Sequence, residues 1–375
     1  MDLELLKQVE AEEIGQRQVL PDRYLGLADE EMSDRIASAR RELGSRLLIL
    51  GHHYQRDEVI KFADCTGDSF KLARQAAERR DADYIVFCGV HFMAESADVL
   101  SAPHQRVILP DLAAGCSMAD MAAPEQLEVC WDELSALGGR DIVPVTYINS
   151  AASIKSFCGE RGGVVCTSSN AVPTLRWAWE RGEKILFLPD QHLGRNTAYG
   201  MGIPLDQMVV WDPDLAYGGV SPDQLRDARI ILWKGHCSVH TRFTVGQIDA
   251  ARALYPDINI LVHPECPMET VEAADMVGST EYIREMVNSA PSGSKWGVGT
   301  EVSLVNRLAI NNPDKTVFCL DPVTCPCSTM YRIHPAYVLW MLDGLLEGKV
   351  NNEITVPDDV KRDSKTALER MLSFR

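Results

Sequence analysis

The chain of 375 residues carries 37 basic and 54 acidic side chains, a formal net charge of −17, and 46% hydrophobic residues. That balance suits a globular fold with a substantial core and excludes the basic face that nucleic acid requires. No apolar run approaches the roughly 20 residues of a membrane span, and the acidic opening MDLELLKQVEAEEIGQRQVL has neither the basic start nor the apolar centre of a signal peptide. The expectation is a cytoplasmic protein with no membrane partner, whose eleven cysteines pack or bind metal rather than pair as disulfides.

In chain order, residues 30–46 read as a helix rich in Arg and Glu. RLLILGHHY follows, a short apolar run stopping at a glycine, which predicts a buried parallel strand. The design recurs in YIVFCGVHFMAE, RVILPDLAAGC, IVPVTYINSA, GVVCTSSNAV, KILFLPDQHLG, RIILWKGHCSVH, INILVHPECP, ADMVGST, KWGVGTEVSL and TVFCLDPVTC. Helical segments at 69–81, 171–182 and 301–310 stand between them. About eleven strands alternating with helices predict an α/β protein with parallel sheets. In such folds the loops at the carboxyl ends of the strands carry the chemistry.

The strand ends hint at three similar units. His52 and Tyr54, Tyr147 and Asn149, and His263 and Glu265 each form an i, i+2 polar pair closing an apolar run, so both side chains lie on one side of the strand. Ser69, Ser168 and Thr280 follow as hydroxyls near helix starts, where N–H and O–H donors bind phosphate and carboxylate groups. LPDLAAG and LPDQHLG look like equivalent strand ends of the first two units.

Among the cysteines, Cys65, Cys88, Cys130, Cys158, Cys166 and Cys319 read as small buried hydrophobes, with Cys65 and Cys158 in helix or loop contexts; Cys266 and Cys327 stay open. Cys116, Cys237 and Cys325 stand apart at loop positions punctuated by Gly or Pro. Three thiols from separate units with no fourth protein ligand suggest an iron–sulfur cluster with one iron open to substrate, although soft thiolates suit zinc as well. His91, His104, His192 and His334 read as structural or solvated, whereas His52, His240 and His263 lie near other candidates. Glu265 is a candidate general acid or base and Tyr54 a proton relay.

From about residue 46 to 345 the ordered motifs GHHYQRDEVIKFADCTGDSFKLA, CGVHFMAE, LPDLAAGCSMAD, VTYINS, VCTSSNA, FLPDQHLG, KGHCSVH, HPECP, ADMVGST, GTE and CPCSTM resemble the quinolinate synthase family. The resemblance implies three αβα domains related by pseudo-threefold symmetry around a central [4Fe–4S] cluster. The divisions expected here are 1–112 (with 1–33 as an extension and the helices of 328–375 packing back on it), 113–212 and 213–327. It implies Cys116, Cys237 and Cys325 as cluster ligands, Cys325 rather than Cys327 because a Pro follows it and a Met stands five residues on. It further implies condensation of iminoaspartate with dihydroxyacetone phosphate to quinolinate, phosphate and water in NAD biosynthesis, with an aspartate oxidase or dehydrogenase as the transient source of the imine.

The resemblance assigns Tyr54, His240, His263 and Glu265 to proton movements. His52, Tyr147 and Asn149 would face substrate, and Ser69, Ser168 and Thr280 would hold its phosphate or carboxylates. His53 and His192 depart from the residues common in relatives. Two other readings of the same residues are a zinc-dependent hydrolase built on His263, Glu265 and nearby cysteines, and a non-catalytic iron–sulfur sensor.

Overall fold

The computed structural model describes residues 9, 10, 13–15, 17–137 and 141–374. Three sheets organise these residues. The first contains β1 (Leu47–His52), β2 (Cys65–Gly67), β3 (Tyr84–Cys88) and β4 (Arg106–Ile108). The second contains β5 (Ile142–Tyr147), β6 (Val164–Cys166), β7 (Lys184–Leu188), β8 (Met208–Trp211) and β9 (Ile230–Trp233). The third contains β10 (Asn259–Val262), β11 (Met276–Val277), β12 (Lys295–Gly299) and β13 (Thr316–Cys319). The last strand, β14 (Glu353–Ile354), pairs antiparallel with β4; every other pairing is parallel.

All six residues of β1 are buried, as helices on both faces of a parallel sheet require. The three sheets share one strand order: β2-β1-β3-β4, β6-β5-β7-β9 and β11-β10-β12-β13, with β8 added beyond β9. We label these positions b-a-c-d. The predicted α/β class is therefore observed, and each of the eleven predicted runs contains a strand.

Four readings change. The short strand β2, the edge strand β8 and the two-residue β14 were not expected, and Cys65 lies in β2 rather than in a helix or loop. LPDLAAG and LPDQHLG are not equivalent strand ends, because the first follows the d strand β4 and the second the c strand β7. Beyond the division expected at 212, β9 pairs with β7 and β8 in the second sheet.

The fourth change concerns the C-terminal helices. The chain forms two compact units, one running to Gly115 and including Glu301–Asn311 and Asp321–Thr355, the other Cys116–Thr300, Asn312–Leu320 and the chain from Val356. In the first unit the helix Pro335–Leu346 packs along Asp29–Leu43. The helix Asp358–Ser373 instead packs in the second unit along Ala152–Glu160 and β6. Ser364 Oγ donates to Ala152 O at 2.6 Å, Arg370 reaches Gly163 O at 2.5 Å, and Asn170 Nδ2 reaches Met371 O at 3.3 Å.

Gly159 makes that approach possible, since a Cβ there would stand 1.9 Å from Asp363 O. In an open helix Gly→Ala stabilises by about 0.5–1 kcal/mol. Gly159→Ala is expected to reverse that sign, costing about 1–3 kcal/mol through overpacking and lowering Tm by several degrees. A raised Tm on thermal unfolding would show that the two helices do not pack this closely.

Candidate active site

The shared strand order sorts the predicted residues. The a strands β1, β5 and β10 lead to His52 and Tyr54, Tyr147 and Asn149, and His263 and Glu265. The b strands β2, β6 and β11 lead to Ser69, Ser168 and Thr280, and the d strands β4, β9 and β13 to Cys116, Cys237 and Cys325. Each class of candidate thus occupies one strand position in every sheet.

Four of them meet directly in the second unit, all at most 5% exposed: Tyr147, His240, His263 and Glu265. Tyr147 Oη donates to Glu265 Oε1 at 2.6 Å, and His240 Nδ1 lies 2.9 Å from Glu265 Oε2. The His240 and His263 rings stack with centroids 4.4 Å apart, and His240 Nε2 lies 3.1 Å from Thr300 Oγ1. His263 Nδ1 accepts the Glu265 N–H at 3.4 Å, which leaves Nε2 to carry the proton of the neutral ring. An ionised carboxylate only accepts, so the Tyr147 hydroxyl and the His240 Nδ1–H both point at Glu265. In neutral form His240 then accepts at Nε2 from Thr300. The result is a continuous path Thr300–His240–Glu265–Tyr147 along which a proton can move.

Burial alone raises a carboxyl, but the adjacent His240 and the hydrogen bonds from His240 and the Tyr147 hydroxyl outweigh it and hold Glu265 below the usual carboxylate range. Its neighbour Asp190 goes the other way. Fully buried and facing the Glu265 charge, it is raised well above its ordinary value and keeps its proton. Burial and the adjacent His240 lower His263 to about 3, and burial with Arg195 and His236 lowers His192 to about 4, so both imidazoles are neutral. Glu265 is held as the carboxylate while Asp190 beside it keeps its proton, the separation of roles that acid–base chemistry needs.

Cys237 belongs to the same neighbourhood: its Sγ, a nitrogen of His240 and an oxygen of Glu265 all lie within 4.8 Å of one another, a set that could hold a metal ion. The Cys116 segment is tied to the Cys237 loop through Met121, whose carbonyl accepts from Trp233 Nε1 at 2.7 Å and whose sulfur accepts from His236 N at 3.3 Å. Asn149 Oδ1 is buried without a hydrogen-bond partner. Ser168 is half-buried before the helix Ala171–Trp179, and Thr280 begins the helix Thr280–Ser289 behind the N-cap Ser279.

In the first unit His52 Nδ1 accepts from Tyr54 N at 3.1 Å, and the two rings meet edge to face at 4.7 Å. Arg307 fastens this loop from below, reaching His53 O at 2.9 Å, Gln55 O at 2.5 Å and Asp57 Oδ1 at 2.6 Å. Ser69 opens the helix Ser69–Glu78, which Asp68 caps by accepting from Lys71 N at 2.9 Å. Cys325 is exposed. The neighbouring Cys327 has its N–H held by Glu301 Oε1 at 3.1 Å. Burial raises the Glu301 carboxyl to about 7 against four hydrogen bonds that lower it.

Asp190, Thr300, Asn196 and Glu301 were missed as individual residues, although LPDQHLG and GTE were noted. The available signal was the acidic or hydroxyl residue just after a c strand. His192, read as structural, has its Nδ1 buried without a partner beside this group.

The proton on Asp190 is testable. The folded protein retains it where the unfolded chain releases it, above about pH 4. Stability contributed by the group therefore falls as pH rises from there. Asp190→Asn copies the protonated shape and keeps Oδ1 to accept from His192 N and Leu193 N. Its Tm relative to the parent is expected to climb between pH 5 and pH 8; a relative Tm that falls over that range would mean Asp190 is ionised in the fold.

A family model described as "Quinolinate synthetase A protein" matches residues 34–373. The quinolinate synthase of Corynebacterium glutamicum is 57% identical over 358 residues, covering 95% of this chain and 91% of that protein. That of Herpetosiphon aurantiacus is 55% identical over 370 residues, 98% of each chain. That of Anoxybacillus flavithermus is 56% identical over 361 residues, 96% of this chain and 97% of the relative. Similarity of this depth spans all three sheets and every strand end described above, and the chain belongs to the quinolinate synthase family.

Proposed function

We propose that the chain is a quinolinate synthase that condenses iminoaspartate with dihydroxyacetone phosphate, releasing quinolinate, phosphate and water, with a [4Fe–4S] cluster bound by Cys116, Cys237 and Cys325 among three α/β domains. One observation carries the reading: the same d strand leads to one of these cysteines in every sheet.

The donor set fits the cluster. Burial raises the Cys88 thiol to about 12 and pushes Cys130, Cys158, Cys166 and Cys266 higher than an ordinary thiol, so these stay protonated. Cys327 is raised as well, by its surroundings and by Glu301. Cys116 and Cys237 are half-buried and Cys325 is exposed, unlike the fully buried thiols. Three soft thiolates without a fourth suit a cluster that keeps one iron open. When bound, the cluster supplies a Lewis acid for a substrate hydroxyl or carboxylate.

The chain's own residues do the rest. Glu265 takes protons from the condensing carbon and nitrogen centres, and His240, hydrogen-bonded behind it, receives or returns them. Tyr147 shares the same carboxylate and hands its hydroxyl to a substrate carboxylate when one arrives. His52 orients Tyr54, which assists enolisation of the triose. Ser69, Ser168 and Thr280 offer O–H and helix N-terminal N–H donors to phosphate and carboxylates. The imine is short-lived, which favours a nearby aspartate oxidase or dehydrogenase as its source.

A second reading, a zinc-dependent hydrolase, is favoured by the close approach of Cys237, His240 and Glu265. Against it, both ring nitrogens of His240 already have partners in Glu265 and Thr300, so a metal there would have to break the proton path.

Anaerobically purified protein is expected to hold about four irons and four sulfides per chain and to form quinolinate from the two substrates. Cys325→Ala should lose both cluster and activity while Cys327→Ala keeps them. Zinc in place of iron would favour the hydrolase, and a cluster without turnover would leave a sensor.

A further inference from the structure

The turn that carries Glu265 is held from outside by a residue none of the motifs singles out. We propose that Asn196 is a positioning residue for Glu265, its single amide group fastening the two carbonyls that flank the carboxylate in sequence. This rests on the reading of Glu265 as the acid–base residue.

Asn196 Nδ2 donates to Pro264 O at 2.8 Å and to Cys266 O at 2.8 Å. These are the carbonyl oxygens of the two residues on either side of Glu265. A primary amide has two N–H bonds about 120° apart, so one nitrogen can serve both carbonyls, which a hydroxyl or carboxylate cannot do. Two carbonyl partners also fix which end of the amide is nitrogen. The turn needs such a hold: Pro264 has no N–H, and within the turn the closing bonds are Cys266 N to His263 O at 3.0 Å and Glu265 N to the His263 ring.

Asn196 is itself rigidly placed. It stands on the helix Gln191–Gly200, whose first turn is capped by Asp190 Oδ1, accepting from His192 N at 2.7 Å and Leu193 N at 3.1 Å. Gln191 N donates to Gly235 O at 3.0 Å. Gly194 lets the helix lie against the sheet, because a Cβ there would come within 2.6 Å of Leu232 and Phe187. Asn196 thus conveys the position of the second sheet's c-strand helix to the loop at the end of β10. The consequence falls on Glu265, whose bonds to Tyr147 and His240 are 2.6 and 2.9 Å and weaken steeply with misalignment.

The test compares Asn196→Ala and Asn196→Gln in the cluster-loaded enzyme. Misplacing a reacting group by about 1 Å can cost on the order of 100-fold. Asn196→Ala is expected to lose 10- to 100-fold in kcat, roughly within that bound, with KM for both substrates changed less than about threefold and iron content unchanged. Asn196→Gln, which keeps an amide, should recover part of the loss. Unchanged kcat in the Ala variant, or equal loss in both variants, would overturn the proposal. If the parent makes no quinolinate, the functional reading fails separately. The crystal structure of Asn196→Ala then decides: Glu265 displaced from Tyr147 and His240 supports positioning, and an unmoved Glu265 refutes it.

Discussion

A carboxylate that is 2% exposed is the constraint around which the second unit is arranged. Leaving such a charge unpaired in the interior would cost several kcal/mol, roughly the stability of a whole small domain. Glu265 therefore has to be met by donors on both oxygens, and it is, by Tyr147 from the end of β5 and His240 from the segment after β9. Those partners come from different strands of one sheet, while Glu265 itself follows β10 of another. The charge can be solvated by protein only if both sheets in this unit are complete, so the chemistry and the packing stand or fall together.

The same constraint explains the state of the surrounding groups. A second charge of either sign close to Glu265 would have to be solvated as well. Asp190 is neutral because burial strips its water and Glu265 already carries a charge, and His263 and His192 are neutral because burial removes water from their rings. His263 still contributes: by accepting the Glu265 N–H it fixes its own tautomer and ties the turn.

How far this was legible from sequence follows from periodicity. The a-strand pairs could be read because period 2 sends residues i and i+2 to one side, so His263 and Glu265 announce themselves at the end of an apolar run. Cys116, Cys237 and Cys325 stand out in sequence because glycine or proline breaks the run around them, and in the structure none of the three is fully buried. Asp190 and Asn196 could not. Asp190 looks like an ordinary helix cap, which it also is, and its second role depends on a carboxylate 75 positions away. Asn196 acts through two backbone oxygens, which leave no trace in side-chain patterns. The mistaken equivalence of LPDLAAG and LPDQHLG has a related cause: both are Leu-Pro-Asp after an apolar strand, and only hydrogen-bond pairing reveals that one strand is at position d and the other at c. Asp111 in the first motif binds Arg332 at 3.0 Å, an ordinary ion pair, whereas Asp190 has one oxygen with no partner.

An acidic chain proposed to act on anionic substrates must also limit repulsion where they would bind. With a formal charge of −17 the protein as a whole repels them, so the local field has to be set by the site. Keeping Asp190 protonated halves the carboxylate charge beside the candidate acid–base pair, and hydrogen-bonding both oxygens of Glu265 disperses what remains. The b-strand hydroxyls add donors without adding charge: Ser69 and Thr280 open helices whose first-turn N–H groups point the same way. A lysine or arginine at those places would attract phosphate more strongly, but a charge drawn out of water competes for partners of its own. Neutral donors avoid that competition. This is a physical reason for a site on anionic substrates to be built from Ser, Thr, Tyr, His and Asn in a chain with so many acidic residues.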